Sequence, residues 1–393
     1  MSTPPRDAFD PYEATARFDP YPHYARLRGL APVVHLTLDG RDVFALSHDR
    51  HVRAALRDTG TFSSVGGLSL HPRDRLTAGV IISADPPDHT RLRRVVGHHM
   101  SPRAITAMAP RIRARIAGLV TAVARQRRFD AVGHLARVVP AIVISDLVGL
   151  PVEDRHMYPE WAEAATNSQG PSAAVPPGAY QRLREMAEYI GRVGANGRLA
   201  PGRIGASVFA AARRGEITDA EAASLVFGAF VVAGLHATTA GLGWLFALAS
   251  RYPGEWAAYA ANDGRPARLA DEIARHQALF PHGYRVATRD ATVDGYAIPA
   301  GARVLLLYGS ANRDPARWAD ADAFLVGRAD AANHLGFGDG PHRCLGEHLF
   351  RLEVDAVGDA LAAAGVTAIT VGQARFGDNS TVRGFAALPV ALS

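Results

Sequence analysis

From Ala222 to Ser250 the chain carries no Asp, Glu, Lys or Arg. A stretch of that length can cross a bilayer, and if it does not, it has to be hidden from water by the rest of the fold. Thr218 and Glu221 stand in the Thr-x-x-Glu pattern of a capping box just ahead of it, so the spacing predicts a long helix starting there. The stretch includes Ser224, His236, Thr238, Thr239 and Ser250, and it lies mid-chain without an aromatic belt. Those features favour the central helix of one large core over a membrane span. With 48% apolar residues in 393, the chain has ample material to surround such a helix.

The rest of the sequence reads as mainly helical with small β-sheets. Helical patterns cover 19–28, 47–58, most of 89–128, and 138–151, where Pro151 is the expected stop. "PVVHL" and "DVFAL" flank an Asp39-Gly40 turn and predict a β-hairpin. Helix returns over about 267–280, strand–turn–strand over "TVDGYAIPAGARVLL", helix at or just after Cys344, and β structure at "VRGFAALPVAL". Two loops, 59–88 and 167–178, are rich in Gly, Pro or Ser, and loops of such length are usually functional.

The formal net charge is +5, and all 43 basic residues are arginine. No dense basic stripe interleaved with aromatics occurs, which argues against nucleic-acid binding. A diffuse arginine excess suits a docking face for an acidic partner, with Arg343 and Arg351 as candidates. The start "MSTPPRDAFDPY" lacks a charged-then-apolar leader pattern, and with a single cysteine this points to the cytoplasm.

That cysteine, Cys344, sits in "FGDGPHRCLG", residues 337–346. A lone thiol forms no internal disulfide. The plainest reading is a small buried hydrophobe. A zinc site from His334, His342, Cys344 and His348 is a second reading, but it lacks another thiol or a clear acidic ligand. The third is a thiolate that holds one metal centre. Cys344 falls at the predicted start of a helix, where free N–H groups and the helix dipole favour a thiolate. Gly338 and Gly340 permit a tight turn before it, and Gly346 leaves room for a flat cofactor. A thiolate with a free path for a planar ring is what haem iron requires of a cysteine ligand.

The segment resembles the haem-binding loop of the cytochrome P450 family: Phe337, Gly338, Gly340, His342, Cys344 and Gly346 occupy its fixed positions. The likeness continues elsewhere, from about residue 19 to residue 390. "DEIAR" carries Glu272 and Arg275, similar to the family's Glu-x-x-Arg pair, with Arg328 completing a buried triad; "ANRDP" resembles its meander. The resemblance implies that His89 and Arg93 of "DPPDHTRLRR", Arg285 of "RVATRD" and His342 reach the haem propionates. It implies one haem-thiolate domain over 1–393, haem b bound through Cys344, and a fold whose long central helix crosses the haem. It further implies an oxidase or monooxygenase that takes dioxygen and receives electrons from a ferredoxin-type partner. The substrate class suggested is a specialised metabolite or small peptide.

One motif departs from the family. Its central helix usually carries Ala/Gly-Gly-x-Asp/Glu-Thr, where the acid and the alcohol relay protons for oxygen activation. Here "AGLHATT" keeps Ala233 and Gly234, places His236 at the acid position and Ala237 at the threonine position. Gly234, His236, Ala237 and Thr238 are therefore the candidate catalytic positions. Successive helical residues are about 100° apart, so Thr238 takes the place of the absent hydroxyl only if the helix bulges; otherwise it is a core hydroxyl. His236 titrates near neutral pH and can move protons. Three chemistries stay open: hydroxylation helped by a substrate hydroxyl or bound water, use of peroxide, and oxidative cross-linking of aromatic rings without oxygen insertion. A haem-binding protein with no catalytic role, acting as a docked partner or sensor, is the alternative of another class. Substrate contacts are expected from 63–84, 159–180, Val231–Thr238, 281–287 and Phe385, including Leu68, Leu70, Ile81, Trp161, Phe230, His282 and Tyr284.

Overall fold

A computed structural model describes residues 1–71, 80–171, 175–261 and 268–393. Within the two loops singled out above, 72–79 and 172–174 lie outside the described residues. Six helices frame the site. They are α1 (Asp88–Gly97), α2 (Val138–Val148), α3 (Tyr158–Asn167), the central helix α4 (Asp219–Arg251), α5 (Leu269–Gln277) and α6 (Glu347–Ala363).

The central helix starts as its sequence dictates. Thr218 Oγ1 accepts from the Glu221 N–H, and Glu221 returns a bond to the Thr218 N–H at 2.8 Å. Helix α4 is long and apolar enough to span a membrane, but more than half of its most apolar window is buried. Leu235, Leu242, Leu245, Phe246 and Leu248 pack into the main hydrophobic cluster with α2 and α6. Residues Leu225–Val232 are π-wound, and the α geometry resumes at Ala233. The bulge therefore ends before the "AGLHATT" motif, and Thr238 keeps its offset of about 100° from Ala237.

Helix α2 stops at Val148, three residues before the proline expected to stop it. Gly149 takes a left-handed conformation (φ 82°) and caps it. A β-carbon there would lie 2.7 Å from Arg203 Cβ, so the position admits only glycine on steric grounds as well.

The largest sheet has five strands in the order Val33–Leu38, Arg41–Leu46, Arg303–Leu306, Gly283–Ala287, Phe62–Ser63. The first two form the predicted hairpin, with Asp39 and Gly40 both at positive φ. This sheet builds two further apolar clusters. Its Gly283–Ala287 strand carries Arg285 toward the cysteine loop.

The Glu272–Arg275–Arg328 triad is fully enclosed. Arg275 donates to both Glu272 carboxylate oxygens at 2.7 and 2.8 Å, and to the carbonyls of Asn312 and Ala321. Arg328 Nε reaches Glu272 Oε1 at 3.3 Å, and the Leu325 N–H bonds the same oxygen at 3.0 Å. The triad thus ties α5 to the 311–328 meander that leads into the cysteine loop.

Two buried histidines predict the acid limb of stability. Burial, with the charges of Arg313 and Arg275, holds His276 down to about 2, and burial holds His282 down to about 4. Both are neutral in the fold, whereas their ordinary value is 6.5. Below that pH the unfolded chain binds more protons than the native one, so stability falls with pH. Urea midpoints should drop progressively from about pH 6.5 downward; a flat profile from pH 7 to pH 5 would contradict this assignment.

Candidate active site

The cysteine loop is held by its backbone and by a charged clasp. The Cys344 N–H bonds the Phe337 carbonyl at 2.8 Å, and the Leu335 N–H bonds Asn312 Oδ1. Asp339 accepts from Arg53 at 2.9 Å and from Arg57 at 3.1 Å, pinning the loop to Asp49–Arg57. Gly338 and Gly340 both have φ of 65°, and a β-carbon on Gly340 would meet the Leu56 carbonyl oxygen at 2.5 Å. The loop's glycines are therefore required by turn geometry and close approach. Phe337 is buried between His334 and Phe350.

Helix α6 begins at Glu347, three residues beyond Cys344. The thiol is exposed to solvent space, yet burial is the main influence on its acidity. A sulfur that is at once accessible and deep in the protein lies on the wall of an internal cleft. Burial pushes the thiol pKa up; the Gly346 N–H and the charge of Arg93 oppose this and do not cancel it. The helix start alone does not make the thiolate that the sequence suggested. A metal cation bound to the sulfur would.

The polar groups around the sulfur keep buried nitrogens without partners. His89 and His342 lie 4.2 Å apart, ring to ring, and each has an unbonded, buried Nε2. Arg285 is buried, donates Nη1 to the Tyr284 carbonyl at 2.8 Å, and leaves Nε unbonded. Arg93 is half-buried near Cys344, and burial lowers its pKa. Unpartnered buried donors are costly. Two histidines and two guanidinium groups beside one thiol fit a planar group that brings both a metal for the sulfur and carboxylates for the rim. Zinc fits less well. Among the described residues no three His, Cys, Asp or Glu side chains converge, and His334 uses its nitrogens on Asp271 and the Gly336 N–H.

The four α4 positions separate. Ala233 is exposed and Ala237 half-buried, so this face of the helix borders open space. Gly234 serves packing: a β-carbon would lie 2.5 Å from Ile144 Cδ1 of α2. Thr238 is buried, and its hydroxyl bears on Glu353 of α6.

His236 faces α3. Its Nδ1 lies 3.0 Å from Thr166 Oγ1. That hydroxyl gives its proton to the Ala162 carbonyl and accepts from Asn379 Nδ2, so His236 donates from Nδ1. Burial, with the charge of Arg137, lowers its pKa to about 4. His236 borders a cavity of about 180 Å³, together with Arg137, Glu163, Arg375, Asn379 and Phe385. Neither Cys344 nor its rim residues line this space.

Several expected substrate contacts are core residues instead. Tyr284 and His282 turn to Tyr12 on the far side of their strand. Leu70 and Phe230 are buried in clusters, and Trp161 packs on Tyr158 and Tyr189. Ile81 and Phe385 are half-buried. The proposed docking arginines are engaged locally: Arg343 with Glu347 at 2.8 Å, Arg351 with Asp271 at 2.8 Å and Glu347 at 3.0 Å. A carboxyl that sequence reading passed over, Glu353, proves to adjoin the motif.

Comparison with known proteins places this geometry. The family model described as Cytochrome P450 matches residues 269–357. "Cytochrome p450 CYP199A2" of Rhodopseudomonas palustris is 33% identical over 99% of this chain and 95% of its own length. "Cytochrome P450 monooxygenase PikC" of Streptomyces venezuelae is 32% identical over 95% of this chain and 91% of its own. The solved structure of the putative thioether synthase SgvP, involved in tailoring griseoviridin, is 28% identical with a TM-score of 0.86, covering 99% of this chain and 100% of that one.

Proposed function

This chain belongs to the cytochrome P450 family and is an oxidoreductase with haem as its cofactor, and from that premise we propose that it is a monooxygenase acting on a specialised-metabolite or small peptide substrate. The observation that carries the reading is the accessible Cys344 sulfur beside His89, His342 and Arg285, each of which leaves a buried side-chain nitrogen without a hydrogen bond. Residues 1–393 form one haem-thiolate domain in this reading. Cys344 would ligate the iron, His89, Arg93, Arg285 and His342 would bind the propionates, and Phe337 and Gly346 would lie in the loop beside the ring. Haem held in this way would supply the activation of dioxygen.

The residues of α4 shape the opposite side. Ala233 and Ala237 keep the helix face open for substrate. His236, held to Thr166 through Nδ1, borders the cavity of about 180 Å³ behind this face. Its neutral state at pH 7 follows from its depressed pKa. Electrons come from a ferredoxin-type donor. The cytoplasm suits such a donor and the single unpaired cysteine.

A second reading is oxidative coupling without oxygen insertion. It is supported by the absent threonine at Ala237 and by the likeness to a putative thioether synthase. Turnover with a surrogate ferredoxin and reductase under isotopically labelled dioxygen, across macrolide, phenolic and cyclic-peptide substrates, separates the readings. Monooxygenation puts one labelled oxygen atom in the product; coupling gives a product lighter by two hydrogens and unlabelled. No product from any of these substrates, with haem bound, would favour the non-catalytic alternative. Ala237→Thr bears on the motif: the reading expects it to leave coupling of electrons to product unchanged or lower it. A clear rise would show that the site is not adapted to work without that hydroxyl.

A further inference from the structure

The cavity beside His236 has an apolar floor and a charged mouth. Ala162 of α3, Leu235 and Ala240 of α4, and Val382 form the floor, and all four are buried. Phe385 forms one wall, held by Trp244 at 4.7 Å between ring centroids. Phe385 belongs to the paired strands Arg375–Phe376 and Phe385–Ala387, which lie close on the central helix: a β-carbon on Gly384 would come within 3.0 Å of Ala240 Cβ. One polar atom meets this apolar space. The Thr166 hydroxyl donates to the Ala162 carbonyl, so the His236 proton sits on Nδ1. Nε2 is then a bare acceptor. At the mouth stand exposed Arg137, Glu163, Arg375 and Asp378. Arg17 neutralises Asp378, and Arg137 approaches Glu163 at 4.0 Å. Arg375 has no acid partner among the described residues, so the mouth keeps one unmatched positive charge.

We propose that this cavity is a second small-molecule site, separate from the haem cleft, for an aromatic monocarboxylate of about indole size that carries a neutral N–H donor on its ring. The ring lies among Leu235, Val382 and Phe385, the N–H donates to His236 Nε2, and the carboxylate meets Arg375 at the mouth. Each part of the ligand answers one feature of the site. A cavity of about 150 Å³ admits benzene, so one of about 180 Å³ takes a slightly larger ring system. A neutral imidazole acceptor in an apolar wall calls for a donor, and a guanidinium without an acid calls for a carboxylate that it can hold through two N–H groups. Apolar walls with a few placed polar groups are the usual make-up of a ligand pocket. The bound molecule ties His236 of α4 to Arg375 of the hairpin, and no covalent bond is made or broken. This site goes beyond the oxidation chemistry, since Cys344 and its rim residues line a different space.

Calorimetric titration of the haem-loaded full chain with indole-3-acetate tests this, with saturating imidazole present to occupy the open side of the iron. One equivalent should bind, the Soret band should stay where imidazole puts it, and the melting temperature should rise with ligand concentration. 1-Methylindole-3-acetate, which lacks the N–H, and indole-3-acetamide, which lacks the charge, should each bind more weakly on the order of tenfold, the scale of one lost hydrogen bond to a buried or charged partner. Arg375→Ala should weaken indole-3-acetate by about the same factor and no longer distinguish it from the amide. Absence of binding at millimolar ligand overturns the proposal. So does binding that imidazole abolishes, which would place the ligand in the haem cleft, or discrimination between acid and amide that survives Arg375→Ala. Should Arg375→Ala misfold, the three probes on the parent still decide.

Discussion

Cys344→Ser should leave a folded protein that has lost thiolate ligation and with it all measurable turnover. The loop does not depend on the sulfur. It is set by the Cys344 N–H bond to Phe337, by the Asp339–Arg53–Arg57 clasp and by Gly338 and Gly340. Serine preserves all of these. It removes a polarisable anion and offers a hydroxyl that has little tendency to ionise at the bottom of a cleft where even the thiol is made less acidic. Unfolding curves of parent and variant without haem should agree to within about 1 kcal/mol, the usual scale for a near-isosteric change away from a packed core. The haem absorption spectrum, by contrast, should change completely. A variant that keeps the parental spectrum would remove Cys344 from the ligand position.

Glu272→Ala should be the most destabilising single substitution near the site. It leaves Arg275, with no exposed surface, and Arg328 without a counter-charge. Breaking one partner out of a buried pair costs about 3–5 kcal/mol, a large part of the roughly 5–15 kcal/mol that holds a domain together. It also frees the meander that feeds the cysteine loop, since the Leu325 N–H loses its acceptor. The expected outcome is poor soluble yield, weak haem retention and a urea midpoint far below the parent's. Arg328→Ala should cost less, because Arg275 still neutralises Glu272. If both variants unfolded at the parental midpoint, the triad would not be the anchor described.

What the sequence disclosed follows from how local each signal is. The capping box at Thr218, the Asp39-Gly40 hairpin and the cysteine loop are short patterns whose chemistry needs adjacent residues, and the structure forms all three. The end of α2 was misplaced because Gly149 caps the helix before Pro151 can stop it. The substrate-contact expectation for 281–287 overlooked the period of a strand. Neighbouring residues face opposite ways, so the strand that points Arg285 at the cysteine loop must turn Tyr284 toward Tyr12. The π-wound Leu225–Val232 segment has no sequence signature, since the whole stretch is apolar. Glu353 could not be singled out either: in sequence it is one acid in an amphipathic helix, and only the packing of α6 on α4 brings it to Thr238.

Cys344 is expected to ligate haem iron as a thiolate. The absorption spectrum of the purified protein, reduced and exposed to carbon monoxide, tests it most directly. The expected result is the red-shifted Soret band peculiar to thiolate-ligated ferrous–CO haem. A band typical of histidine or thiol ligation, or a protein that takes up no haem, would contradict it.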